Sequence, residues 1–260
     1  MRAAGLCALF AMLPAPPLAH AEPLLDLPRY AQIDRAALER YAARTVGRRV
    51  AQAEKAGELG CRRYCEMMAR AFAKVAAVAR EQGEPEGGAL QWRLVVTITR
   101  GEAALSLPGG YVVVSEDMIA SLNLNEAELA FILSHEVAHV LMQHEAEALE
   151  FLQATLTPRG LSRSVFDLYA ELDYNAAALL RIESLMQSGE LEADHAGLLL
   201  GAQAGYPPSA MLSALAKMAA GEQRRAGIVN THPRMAARLA RLQAVLPVAE
   251  RLAQARAARR

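Results

Sequence analysis

From Asn125 to about His144 the sequence specifies one helix with an apolar body and a polar inset. Asn125 followed three residues later by Glu128 is a capping box, in which each side chain satisfies an orphan N–H at the helix start. Leu129, Ile132, Leu133, Val137, Val140 and Leu141 supply the surface to be buried. Set into this body is His135-Glu136-Val137-Ala138-His139, an H-E-x-x-H motif. A spacing of four puts both imidazoles on one helix face, about one turn apart, which suits two ligands of one tetrahedral zinc ion. Glu136 is offset by one position, so it reaches a water on the metal without ligating the ion and serves as general base. A five-residue motif also arises by chance. Against chance stand two histidines on an alanine- and valine-rich face, which require polar partners once buried.

A third ligand is available downstream in Glu190-Leu191-Glu192-Ala193-Asp194. Glu190 and Asp194 are four apart and share a helix face, while Glu192 points away from both. One carboxylate can bind the ion while the other holds a ligand histidine through its second ring nitrogen. His144 reads as a polar residue closing the helix, and His195 as a partner or surface residue rather than a ligand.

The rest of the chain gives the setting. A helix is expected from Asp34 to about Ala56 and another from about Arg62 to Gln82, the latter with an apolar face of Met67, Met68, Ala71, Phe72, Val75 and Val78. Trp92–Thr99 and Tyr111–Ser115 are rich in β-branched residues and read as strands, the second introduced by Pro108-Gly109-Gly110. The two glycines allow close approach of another backbone. A mostly helical stretch broken at Pro158-Arg159-Gly160 follows the motif helix. Further helices are expected over about Gly189–Ala204 and Ser209–Ala220, and after the Asn230-Thr231-His232-Pro233 turn. The sum is a predominantly helical α+β fold with a small β-sheet beside the active-site helix.

The chain has 260 residues and a formal net charge of zero, so it lacks the basic excess of a dedicated nucleic-acid binder. Residues 1–21 read as a signal peptide: Arg2, a short apolar run from Ala3 to Leu13, then Ala19-His20-Ala21 before a mature start near Glu22. That places the protein in the periplasm or outside the cell, where a local disulfide between Cys61 and Cys65 is favoured over two buried thiols. Residues 22–59 form an N-terminal helical segment, 60–245 the main domain, and 246–260 a basic helical tail. The tail's arginines allow weak peripheral attraction to anionic membrane surfaces.

Four motifs together resemble the zinc metallopeptidase family that includes HtpX, the CAAX prenyl protease and the mitochondrial Oma-type enzymes, and most closely its soluble periplasmic BepA/LoiP-like branch. They are Leu107-Pro108-Gly109-Gly110-Tyr111, Ser134-His135-Glu136-Val137-Ala138-His139-Val140, Glu190-x-x-Ala193-Asp194, and Thr231-His232-Pro233 followed by Arg238. The resemblance covers roughly residues 60 to 245. It implies a zincin-like domain of gluzincin type with one Zn2+ per chain, held by His135, His139 and Glu190, with Asp194 behind them. It further implies Glu136 as base, His232 and Arg238 as catalytic residues approaching the cleft, and Gly109, Gly110, Tyr111, Val112 and Val113 as an edge strand that pairs with extended substrate. The implied function is endoproteolysis of unfolded or misassembled envelope proteins. A zinc-retaining chaperone-like or scaffold protein with little proteolysis is the alternative. The chain departs from the family in Glu102–Ser106, which lacks the usual asparagine before Pro108.

Overall fold

A computed structural model describes residue 25 and residues 33–82, 90–98, 104–158, 160–222 and 235–258. The expected signal segment and His232 lie outside the described residues. Two helices come first, α1 (Arg35–Lys55) and α2 (Cys65–Glu81). Three strands follow, β1 (Arg93–Thr97), β2 (Ala104–Leu107) and β3 (Tyr111–Ser115), and then α3 (Glu116–Leu122) and α4 (Glu126–Leu141). The remainder is helical: α5 (His144–Leu156), α6 (Val165–Tyr174), α7 (Ala176–Gln203), α8 (Pro208–Glu222) and α9 (Met235–Ala257). This is the mostly helical α+β fold with a small sheet that the sequence implies. Among the described residues no helix is long and apolar enough to cross a membrane.

The helix α4 is the centre of the main core. Leu129, Leu133, Val137 and Leu141 have no accessible surface, and burying a side chain of this kind stabilises the fold by about 1.5–3 kcal/mol. The capping box forms as expected: Asn125 accepts from the Glu128 N–H at 3.0 Å, and the Glu128 carboxylate accepts from the Asn125 N–H at 2.8 Å. Glu128 also accepts from Lys217 Nζ at 2.7 Å, which ties α8 to the start of α4. At the sheet, burial raises the pKa of the Glu116 carboxylate, but the N–H groups of Arg62, Arg63 and Tyr64 outweigh it and hold the value low. That carboxylate thereby anchors the entry to α2. Cys61 and Cys65, at the same entry, form a disulfide.

The sheet order is β1-β3-β2, with β1 parallel and β2 antiparallel to β3. Tyr111–Ser115 is therefore the central strand, bonded on both sides, and not the expected edge strand. Its burial pattern explains why: Val112, Val113 and Val114 are all buried, and an apolar run without alternation belongs inside a sheet rather than at its rim. The outer edge of β1 is taken by the 58–60 segment, through the Leu59–Thr97 bridge and the Gly60 N–H donating to Val96. β2, which the sequence reading did not identify, carries the other edge. The turn joining β2 to β3 needs both glycines, since Gly109 and Gly110 have φ of +83° and +86°. Gly110 also admits close backbone approach: a Cβ there would lie 2.8 Å from the Gln91 carbonyl oxygen.

The long helix α7 packs along α4. It begins at Ala176, well before the expected start near Gly189, with the Asn175 side chain capping its first N–H groups. Gly189, Ala193 and Gly197 recur every four residues on the contact face. A Cβ on Gly197 would lie 2.8 Å from the His135 backbone nitrogen, so the two helices touch backbone to backbone. The last helix passes residue 246 without a break, and Ala249 within it is fully buried.

Candidate active site

Two helices supply the site. His135 and His139 project from one face of α4, and Glu190 and Asp194 from one face of α7, at the place where Gly197 allows the closest approach. The Nε2 atoms of the two histidines are 3.0 Å apart. His135 Nε2 lies 3.5 Å from one Glu190 oxygen, and His139 Nε2 lies 3.4 Å from the other. A tetrahedron with metal–ligand arms of about 2.0–2.1 Å has edges of about 3.3 Å. The three observed separations lie close to that edge, so the donor set fits a single metal ion. His135, His139 and Glu190 are also the one such cluster of potential metal ligands among the described residues.

The support behind the ligands is specific. Asp194, buried, lies with an oxygen 3.0 Å from His135 Nδ1. Arg238, on α9 and 3% exposed, donates from Nε and Nη2 to the two Asp194 oxygens, each at 2.7 Å. Its Nη1 lies 3.2 Å from Glu190. Burial raises the pKa of the Asp194 carboxyl, but Arg238 and His135 outweigh it and keep the group ionised. Burial likewise disfavours a charged His135, yet the hydrogen bonds and charges of Asp194 and Glu190 prevail and lift its pKa to about 10. The cluster thus demands a cation between its carboxylates. In the metal-free protein a proton on His135 meets that demand, and a divalent ion has to displace it.

His139 is held from the other side by His144, which the sequence marks only as a polar residue at the helix end. The two Nδ1 atoms are 2.9 Å apart. Gln143, with φ of +57°, turns the chain between α4 and α5 so that His144 folds back beneath His139. Its ring lies against Gly189, where a Cβ would come within 3.2 Å of it. Burial, and then the neighbouring His139 and His135, push the His144 pKa down to about 3. A glycine inside a helix costs about 1 kcal/mol relative to alanine and signals a close approach, so Gly189 was the available clue.

A cavity of about 590 Å3 opens over the site. Glu136 lines it beside both histidines, as do Arg238 and the β2 segment from Ala104 through Gly109. Tyr111, Val112 and Val113 do not line it, in keeping with their central place in the sheet. Among the described residues no strand pairs with the outer edge of β2, which borders the cavity. From outside the main core, α1 contributes Arg35, Leu38 and Glu39 to the wall. His195 is exposed, as expected.

Comparison with known proteins agrees with this geometry. The chain is 32% identical over 167 residues to the mitochondrial metalloendopeptidase OMA1 of Schizosaccharomyces pombe, covering 62% of this chain and 48% of that protein. It is 33% identical over 150 residues to the beta-barrel assembly-enhancing protease of Escherichia coli, covering 53% and 31%. The match to OMA1 of Saccharomyces cerevisiae is 26% over 182 residues, covering 63% and 49%. The chain thus spans about half the length of these relatives, or less. Residues 73–246, more than half of the chain, match the profile of peptidase family M48. The chain belongs to peptidase family M48.

Proposed function

We propose that this protein is a zinc-dependent endopeptidase that cuts extended polypeptide. The observation that carries the reading is the convergence of His135, His139 and Glu190 at tetrahedral spacing, with Glu136 on the wall of the same cavity. Zinc, if held there by His135, His139 and Glu190, would supply Lewis acidity that polarises a carbonyl and lowers the pKa of water to about 7. Glu136 takes the proton of the attacking water on its carboxylate and hands it to the leaving amine nitrogen, the two roles of a general base and then acid. Asp194 and Arg238 keep His135 and Glu190 in place. Arg238 reaches the cavity as the partner of two carboxylates, which supports a positioning role over the catalytic role that the resemblance implies.

The substrate would lie along the outer edge of β2, adding a strand through main-chain hydrogen bonds. Only an unfolded or locally extended segment can present its backbone in this way, hence the preference for unfolded or misassembled proteins. The signal-like residues 1–21 favour envelope proteins as the clients and the periplasm as the compartment. A relative named for assisting β-barrel assembly points the same way.

The test is casein degradation by zinc-loaded protein and by Glu136→Gln. Loss of the base should lower the rate by about 10^2–10^4-fold, with one zinc per chain retained in both proteins. If both proteins bind zinc and an envelope client and are equally inert, the protein is a zinc-retaining scaffold.

A further inference from the structure

We propose that His144 is the positioning residue for His139, fixing the tautomer and ring rotation that aim its Nε2 at the metal. This inference rests on the metal-site reading above and extends it to a residue outside the H-E-x-x-H motif.

The hydrogen-bond logic leaves one arrangement. Two Nδ1 atoms at 2.9 Å share a single proton, so one donates and the other accepts. His139 must keep a lone pair on Nε2 for the ion, so its proton sits on Nδ1 and is donated to His144 Nδ1. His144 then carries its own proton on Nε2, which lies 3.6 Å from a Glu192 oxygen on α7. The rings cross nearly at right angles, with centroids 4.9 Å apart and an interplanar angle of 78°. That is how a ring presents an edge nitrogen to its neighbour while both stay packed. Two features of the chain serve this placement. Gln143 in the left-handed region reverses the backbone after α4, and Gly189 leaves room on α7 for the ring. His135 receives its orientation from the Asp194 carboxylate instead.

The test compares His144→Leu, which keeps bulk and removes the acceptor, with His144→Asn, whose carbonyl oxygen stands near the place of Nδ1. Zinc affinity is measured by chelator competition, and the melting temperature on metal-free protein. Partners of this kind change metal affinity by about 10–100-fold. His144→Leu should therefore bind zinc at least about tenfold more weakly, and His144→Asn should recover most of that loss, with metal-free melting alike in the two. Nitrogen-15 spectra of the zinc-loaded parent give a second readout that does not depend on any variant folding. They should show His139 protonated on Nδ1 and His144 protonated on Nε2. Equal zinc affinity in parent and His144→Leu, no recovery in His144→Asn, or a proton on His144 Nδ1 would each overturn the inference while leaving the metal site standing. A parent that takes up no zinc would overturn both.

Discussion

The two histidines of the site stand one helical turn apart, yet they are held by different physics. His135 faces the core, where a buried Asp194–Arg238 pair backs it with full charges. His139 faces the flank, where a neutral ring backs it and Glu145 and Tyr169 follow in α5 and α6. The core half is built to resist loss of a charge badly; the flank half is built to tolerate adjustment. Removing Arg238 is the strongest way to break the contrast. Arg238→Met takes from Asp194 and Glu190 the guanidinium they share and leaves them only His135 as a counter-charge. Breaking a buried pair costs about 3–5 kcal/mol, so urea denaturation of the metal-free variant should show a loss of that size. A loss under about 1 kcal/mol, the range of an exposed pair, would mean the core half is not held by charge.

Two glycines of α7 sharpen the same comparison at the level of packing. At Gly197 an added methyl meets backbone, the His135 nitrogen at 2.8 Å and Cα at 2.9 Å, neither of which can move without moving α4. At Gly189 it meets the His144 ring at 3.2 Å, and a ring can tilt. Gly197→Ala should destabilise by about 1–3 kcal/mol through overpacking and weaken zinc binding, because the Glu190 carboxylate is carried away from the histidines. Gly189→Ala should cost less than about 1 kcal/mol, since the gain in helix propensity offsets a small ring shift. Chemical denaturation and chelator competition on both variants decide it, and equal effects would erase the distinction between the halves.

The legible parts of this molecule in the sequence were those set by local periodicity. The capping box at Asn125 and Glu128, the apolar face of α4, the two histidines at a spacing of four and the carboxylates Glu190 and Asp194 at the same spacing all follow from helix geometry. The illegible parts depend on what a segment meets. Ala104–Leu107 is four residues long and becomes a strand only by pairing with β3, and that pairing in turn moves Tyr111–Val113 from rim to centre. Gly189 looked like a helix start because glycine is costly inside a helix, whereas its reason is the His144 ring. His144 itself reaches His139 only because Gln143 adopts a left-handed conformation, which no neighbouring residue type announces.

The two halves also separate by pH. In the flank, burial lifts the Glu145 carboxyl to about 7 against a lesser opposing hydrogen bond from the Tyr169 hydroxyl, whose ring stacks on Tyr41 of α1 at 3.7 Å. The unfolded chain releases this proton near 4.5 while the folded one keeps it until about 7. Stability contributed by the protonated group is therefore complete below 4.5 and lost as pH rises through 7. A shift of this size corresponds to about 3 kcal/mol, which partial exposure brings to roughly 1–2 kcal/mol. In the core, the lowered Asp194 pKa acts with the opposite sign, its stability present above the usual carboxylate range and lost in acid. His135, with its pKa lifted to about 10, loses its contribution only later, between 6.5 and 10, and only without metal. Subtracting the metal-free pH–stability profile of the parent from that of Glu145→Gln isolates the flank term. The difference should grow in the variant's favour from pH 4.5 to 7 and stay level above it. A flat difference would show that Glu145 ionises freely and that the flank contributes no proton-linked stability.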